Sequence, residues 1–193
     1  MMPIRVIAGS AKGKKLKLVP GSGTRPVTDR VKEAFFNIIR LDLAGCNFLD
    51  LFAGTGSVGI EALSQGAGFV RFVELGRRAH WTIMENLDIV GLGERAEVLR
   101  MDAFAYLGRQ PDRQFDYVYV APPQYQGMWV TVLEGLDENP DWLVGDGWVV
   151  VQIDPREYQT FSLRHFAEFD RRKYGNTLLV FYERLEEPRE AGF

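Results

Sequence analysis

The stretch DLFAGTGSVGIEA, residues 50–62, constrains the fold more than any other part of the chain. An apolar, β-branched and aromatic run, NFLDLF at 47–52, enters it, and the helical pattern SVGIEALSQG leaves it. Gly54, Gly56 and Gly59 therefore spell G-x-G-x-x-G between a strand and a helix. Glycine there lets the backbone turn tightly and lets a ligand approach it closely. The pattern then alternates. GFVRFVEL (68–75), AEVLRM (96–101), FDYVYV (115–120) and GWVVVQI (147–153) read as strands. RRAHWTIMENLDIVGL, DAFAYLGR and GMWVTVLEGL read as the intervening helices. Such alternation implies an α/β fold, a mostly parallel sheet with helices on both faces. Two final strand-like runs, FSLRHFAEF and NTLLVFYER around KYGN, imply a closing hairpin with an antiparallel strand at one edge.

Ahead of this core, IRVIA (4–8) and KLKLV (15–19) read as a hairpin turned by GSAKGK. PGSG (20–23) is a linker, and DRVKEAFFNII (29–39) is an amphipathic helix capped by Thr28. Seven basic residues stand in positions 1–30 against one acid, Asp29, while the whole chain carries a net charge of −3. A basic head on an acidic protein suits local contact with a polyanion. Arg5, Lys12, Lys14, Lys15, Lys17 and Arg30 are the candidate nucleic-acid contacts.

Several classes are disfavoured. The single cysteine, Cys46, cannot form an internal disulfide and reads as a buried small hydrophobe. No apolar run approaches membrane-spanning length, and the start of the chain has no apolar core of a secretory signal, so a cytoplasmic protein is expected. His80 and His165 are separated and read as packed or solvated, so no metal site is expected. For the same reason no residue is placed to serve a nicotinamide dehydrogenase. Trp129 could wall a pocket or pack in the core, and Trp142 reads as structural.

The glycine loop fits a dinucleotide or S-adenosylmethionine, and its acidic followers favour the second. Asp50 sits within the strand and suits the cationic methionyl end. Glu74 ends the next strand, 20 positions after Gly54, where a carboxylate can accept ribose hydroxyls. Asp102 and Ala103 follow the third strand, where an acceptor can meet an adenine amine. A double-proline turn, Ala121-Pro122-Pro123-Gln124-Tyr125, follows the fourth. All four sit at carboxyl ends of strands, the edge where open α/β sheets bind ligands.

IRVIAGSAKGKKL, TRPVTDRVKEAFFNI, FLDLFAGTGSVGIEALSQGA, VRFVE, the Asp-Ala after the third strand and KYGNTLLVFYER run nearly end to end along the chain. In these pieces it resembles the bacterial 16S ribosomal RNA guanine-N2 methyltransferase family (RsmD-type). The resemblance implies a Rossmann-like class I methyltransferase fold with a seven-stranded sheet and a basic N-terminal hairpin at 1–23. The methyltransferase domain would span 24–185 and a tail 186–193. It also implies S-adenosylmethionine as methyl donor and a guanine amine of 16S rRNA or the small ribosomal subunit as acceptor; the small size and lack of an obvious apolar seam fit a monomer. The implied cofactor set is Thr24, Arg25, Asp50, Gly54, Thr55, Gly56, Glu74, Leu75, Asp102 and Ala103. The implied catalytic set is Ala121, Pro122, Pro123, Gln124 and Tyr125, but here the chain departs from the family's D-P-P-[YF]. Ala121 supplies no side-chain acceptor, and Gln124 cannot stack as an aromatic does. Three readings follow: an active enzyme compensated by main-chain carbonyls, Gln124 and Tyr125 or Trp129; a weak or inactive homologue that binds cofactor and rRNA; or a changed acceptor.

Overall fold

The computed structural model describes residues 4–21, 27–39 and 41–188. Thr24, Arg25, the end of the linker and residues 189–193 of the tail lie outside them. The chain divides into two units, Met1–Asp102 and Ala103–Phe193.

The first unit holds a two-stranded antiparallel hairpin, β1 (Ile4–Arg5) and β2 (Lys15–Leu16), and then α1 (Asp29–Ile39). There follow β3 (Asn47–Leu51), α2 (Ser57–Gln65), β4 (Phe69–Val73), α3 (Arg77–Val90) and β5 (Ala96–Leu99). The second holds α4 (Ala103–Leu107), β6 (Phe115–Val120), α5 (Met128–Glu138), β7 (Leu143–Ile153), β8 (Phe166–Tyr174) and β9 (Thr177–Arg184). The seven later strands form one sheet in the order β5-β4-β3-β6-β7-β9-β8. β3, β4 and β5 pair in parallel, as do β6 and β7, whereas β9 is antiparallel to both its neighbours. This is the α/β fold expected from the sequence, with the antiparallel strand second from one edge.

Apolar periodicity explains the elements. In α1, Val31, Phe35, Phe36 and Ile39 are buried, and Phe36 stacks on Phe48 of β3 at 6.5 Å between ring centres. Thr28 caps this helix, its hydroxyl oxygen 3.4 Å from the Val31 amide. The third glycine of the loop, Gly59, lies inside α2, where a Cβ would stand 2.3 Å from the Phe72 ring of β4. The glycine therefore sets how closely the helix packs on the sheet. In the second unit Trp142 is buried against Tyr106 and donates its indole N–H to the Leu107 carbonyl at 3.1 Å. Trp129 is equally buried and packs on Phe161, so it is a core residue and not the wall of an open pocket.

Several boundaries differ from the sequence reading. β7 begins at Leu143 rather than Gly147, because Val-Gly-Asp-Gly forms an irregularity inside the ladder, between the pairings Phe115↔Leu143 and Tyr117↔Trp148. β8 starts at Phe166 and runs through Asp-Arg-Arg-Lys to Tyr174. It is an edge strand, and charged side chains protect such an edge. The hairpin strands are also shorter than 4–8 and 15–19, because the chain leaves its own ladder to bond side chains of α2 and α3.

Those side chains are buried and polar. Glu61 of α2 is 0% exposed and accepts the amides of Ile7 and Ala8 at 2.9 and 2.8 Å. Lys32 of α1, also buried, donates to the Arg5 carbonyl at 2.7 Å and lies 3.6 Å from the Glu61 carboxylate. Burial pushes the Lys32 ammonium below its ordinary pKa, and the charges of Glu61 and Asp29 oppose that shift. Ser64 donates to the Ala8 carbonyl and accepts from Ala11, and Gly9 sits so close that a Cβ would overlap the Ser64 carbonyl oxygen. Asn86 of α3 accepts from the Lys17 amide at 2.7 Å and donates to the Lys17 and Thr55 carbonyls. The hairpin is thus fastened along the helix that the glycine loop opens.

Lys32→Met would leave the buried Glu61 carboxylate without its cation, a change that typically costs about 3–5 kcal/mol. Urea unfolding should show a loss of that order. A loss under about 1 kcal/mol would mean that the pair is not ionised in the fold.

Candidate cofactor loop and acceptor turn

The loop after β3 is held by two carboxylates. Phe52, Gly54 and Gly56 have φ values of 59°, 55° and 73°, which turn the chain from strand to helix. Asp50, 2% exposed, accepts the Gly59 amide at 3.0 Å through Oδ2. Glu74, at the end of β4, accepts the Gly54 amide at 2.8 Å and the Gly76 amide at 2.7 Å, one through each oxygen. A carboxylate offers about four acceptor positions, so Glu74 retains capacity for further donors. Burial, reinforced by the nearby negative charge of Glu74, pushes the Asp50 carboxyl up to about 8.

The other expected cofactor residues in this unit fall around the same loop or at the ends of β4 and β5. Thr55 is buried, and its carbonyl is taken by Asn86. Leu75 follows Glu74 and is 65% exposed, an unusual cost for a leucine at the end of a strand. Asp102 is half-buried after β5. Ala103, the first residue of the second unit, is buried at the start of α4.

These residues suit S-adenosylmethionine. A Cβ on Gly54 would meet nothing nearer than the Phe52 carbonyl at 4.0 Å, so the backbone there is open to a ligand. Glu74, with acceptor capacity left after two amides, suits hydroxyl donors such as those of a ribose rather than a phosphate.

In the second unit, β6 ends at Val120, Ala121 is half-buried, Pro122 is buried, and Pro123, Gln124 and Tyr125 are exposed. Tyr125 has a φ of 61° and is 58% exposed. Its hydroxyl donates to Asp154 Oδ2 at 2.7 Å, just beyond the end of β7. Asp154 also accepts the backbone amide, Nε and Nη2 of Arg156, at 2.9–3.0 Å. The Arg156 side chain, and secondarily its amide, holds the Asp154 carboxyl well below the usual range.

The expected nucleic-acid contacts divide by their partners. Arg5 pairs with Asp29, Lys17 pairs with Glu85, and Lys14 donates to the Ile89 and Val90 carbonyls at the end of α3. Lys12, Lys15 and Arg30 are exposed and form no ion pair among the described residues.

The sequence reading missed Glu61, Lys32, Asn86, Asp154 and Arg156. A charged residue in the otherwise apolar helix SVGIEALS was a signal for Glu61, since glutamate is rarely buried unless paired. Nothing in the local pattern pointed to Asp154. Among the described residues, no group of three or more His, Cys, Asp or Glu could hold a metal ion, and no helix is long and apolar enough to cross a membrane.

The strand order, the glycine loop and the acids that brace it define a class I S-adenosylmethionine-dependent methyltransferase. The sequence matches the family described as Conserved hypothetical protein 95 over residues 4–183, and the chain belongs to that family. YlbH of Bacillus subtilis is 36% identical over 183 residues, 94% of this chain and 99% of that protein. Ribosomal RNA small subunit methyltransferase D of Haemophilus influenzae is 36% identical over 154 residues, 78% of this chain and 79% of that protein. Among solved structures, yhhF of Escherichia coli superposes with a TM-score of 0.86 at 28% identity, covering 96% of this chain and all of that one.

The raised Asp50 carboxyl has a consequence for stability. Between its unfolded value of about 4 and its folded value of about 8, the folded state holds the extra proton, so this group makes stability fall as pH rises. Asp50→Asn keeps an oxygen for the Gly59 amide and removes that slope. Urea unfolding should find the variant more stable than wild type at pH 9, by a larger margin than at pH 6. Equal margins at the two pH values would contradict a buried, neutral Asp50.

Proposed function

We propose that the chain transfers the methyl group of S-adenosylmethionine to the exocyclic N2 amine of a guanine in small-subunit ribosomal RNA. The observation that carries this reading is the intact cofactor loop, braced by Asp50 and Glu74, in a chain similar over most of its length to proteins named for small-subunit rRNA methylation. The protein acts in the cytoplasm as a monomer. Residues 1–23 form its basic extension, 24–185 its methyltransferase domain and 186–193 a tail.

When bound, S-adenosylmethionine supplies an electrophilic methyl carbon whose bonding pair leaves with the sulfonium sulfur. Gly54, Thr55 and Gly56 give the ligand a close backbone. Glu74 would accept its ribose hydroxyls, and Asp50, once ionised, would draw its ammonium end. Leu75, Asp102 and Ala103 would border the adenine, with Thr24 and Arg25 completing the set. At the turn, the carbonyls of Ala121 and Pro122 accept hydrogens of the guanine amine and aim its lone pair. Gln124 adds an amide oxygen, Pro123 stiffens the turn, and Tyr125 offers an aromatic face. Once the amine carries the methyl group, its surplus proton passes to water at this exposed turn.

A slow enzyme is the second reading, and the observation that favours it is Ala121. An acceptor that strengthens in the transition state is worth up to about two or three powers of ten in rate. Small ribosomal subunits lacking the modification, incubated with labelled S-adenosylmethionine, test both readings. Wild type should transfer label, and Ala121→Asp should raise the rate by about tenfold or more. Cofactor binding without transfer by wild type, with transfer by Ala121→Asp, would establish the binding-only reading on this substrate. Failure of both proteins to bind cofactor would contradict the assignment of the loop.

The hairpin supplies RNA contacts, and the free ammonium groups carry most of them. Lys12→Ala and Lys15→Ala should each weaken binding to an rRNA fragment and lower the salt slope of log K by about 1. Lys14→Ala, whose ammonium is engaged at the end of α3, should leave the slope unchanged and lower the melting temperature instead. An unchanged slope in all three would place the RNA elsewhere.

A further inference from the structure

The acceptor turn lacks an obvious way to hold a base still. Ala121 is too short, and Gln124 is exposed. One neighbour of the turn is nonetheless fixed far more firmly than an exposed loop residue needs to be. Tyr125 is 58% exposed, yet its hydroxyl donates to Asp154 and accepts from Arg156, while the Arg156 guanidinium lies over its ring at 5.2 Å from the centroid. Asp154 is itself 5% exposed and receives four hydrogen bonds, three of them from Arg156. The Tyr125 φ of 61° lies in the left-handed region, which is unfavourable for a bulky residue and persists only where the surroundings enforce it.

The arrangement has a direction. Arg156 bonds the phenol hydroxyl, its guanidinium carbon stands 5.2 Å from the ring centroid, and its own side chain is 76% exposed. Tyr125 is therefore held at its hydroxyl end while more than half of the residue faces solvent. A solvent-exposed aromatic ring held at its hydroxyl end suits a nucleobase, because base–aromatic stacking is insensitive to base identity and gains from a pre-ordered platform. Asp154, at the end of β7 and next to β6 in the sheet, is anchored to a rigid element, so the platform inherits the position of the sheet.

Accordingly we propose that Asp154 and Arg156 are positioning residues that hold the ring of Tyr125, the aromatic face that the proposed function offers to the acceptor base. This rests on the reading of the turn as the acceptor site. It goes further in assigning the orientation of the base to a three-residue clamp that draws on the end of β7.

The test uses two readouts, one independent of methylation. In the first, full-length protein is mixed with a single-stranded oligoribonucleotide containing 2-aminopurine, a fluorescent purine whose emission is quenched on stacking. Wild type should quench it on binding, and Tyr125→Ala should bind with most of that quench lost. Tyr125→Phe and Asp154→Asn should each show partial quench, and the double variant should be no worse than the more severe single one. In the second, label transfer to small subunits should fall in kcat by about tenfold to a hundredfold for Tyr125→Ala. The KM for RNA should change less, and cofactor affinity and melting temperature should stay as in wild type. Arg156→Lys should recover part of the activity lost in Arg156→Gln. Wild-type quench retained by Tyr125→Ala would overturn the proposal, as would the absence of quench in wild type or additive effects of Tyr125→Phe and Asp154→Asn. Normal quench with no methyl transfer by any variant would leave the platform standing and overturn the methylation reading instead.

Discussion

The buried carboxylate of Glu61 is the contact on which the first unit depends. It lies in a helix buried from Ser57 to Ser64, and it is completely removed from solvent. Left alone it would be costly, since an unpaired buried charge is strongly destabilising. Two backbone amides of the N-terminal hairpin, the Gln65 amide and the Lys32 ammonium of α1 answer it. One side chain therefore joins the hairpin, α1 and α2. Because α2 begins at the glycine loop, the basic hairpin and the cofactor loop belong to one continuous hydrogen-bonded assembly. The docked hairpin thereby holds its exposed lysines at fixed positions relative to α2.

The same chemical device recurs where the strands end. Asp50, Glu74 and Asp154 each accept a backbone amide from the segment that follows or adjoins their strand, Asp50 from Gly59 in the first turn of α2. Their environments then separate them. Asp50 is buried without a cation, and its carboxyl is raised to about 8. Asp154 is surrounded by Arg156 and stays ionised far into acid. The first is held towards its neutral form by burial, and the second towards its ionised form by Arg156.

Much of this architecture was legible in the sequence where one periodicity ran without interruption. DRVKEAFFNII and FDYVYV gave the bounds of α1 and β6 directly, because each has a single strong pattern. Legibility failed where polar residues serve an edge or an irregularity. Asp-Arg-Arg-Lys does not look like a strand, yet it forms half of β8, and Val-Gly-Asp-Gly looks like a turn but lies within β7. At the site, the positions of Asp50 and Glu74 followed from spacing, but their partners did not. The bond from Ile7 to Glu61 crosses 54 positions, and the bond from Tyr125 to Asp154 crosses 29. Pairing at such separations is set by the fold and leaves no local trace. The basic segment illustrates the opposite error: its lysines looked equivalent in sequence, whereas three-dimensional partners already engage Lys14 and Lys17.

The central claim concerns a particular atom, N2 of a guanine in small-subunit rRNA, and mass spectrometry of the reaction product addresses it most directly. Small subunits treated with the protein and isotopically labelled S-adenosylmethionine would be digested to nucleosides and separated. The account predicts label in N2-methylguanosine, at a single position in the rRNA. Label in a methylated adenosine or cytidine, or in a guanosine methylated at a ring nitrogen, would contradict it.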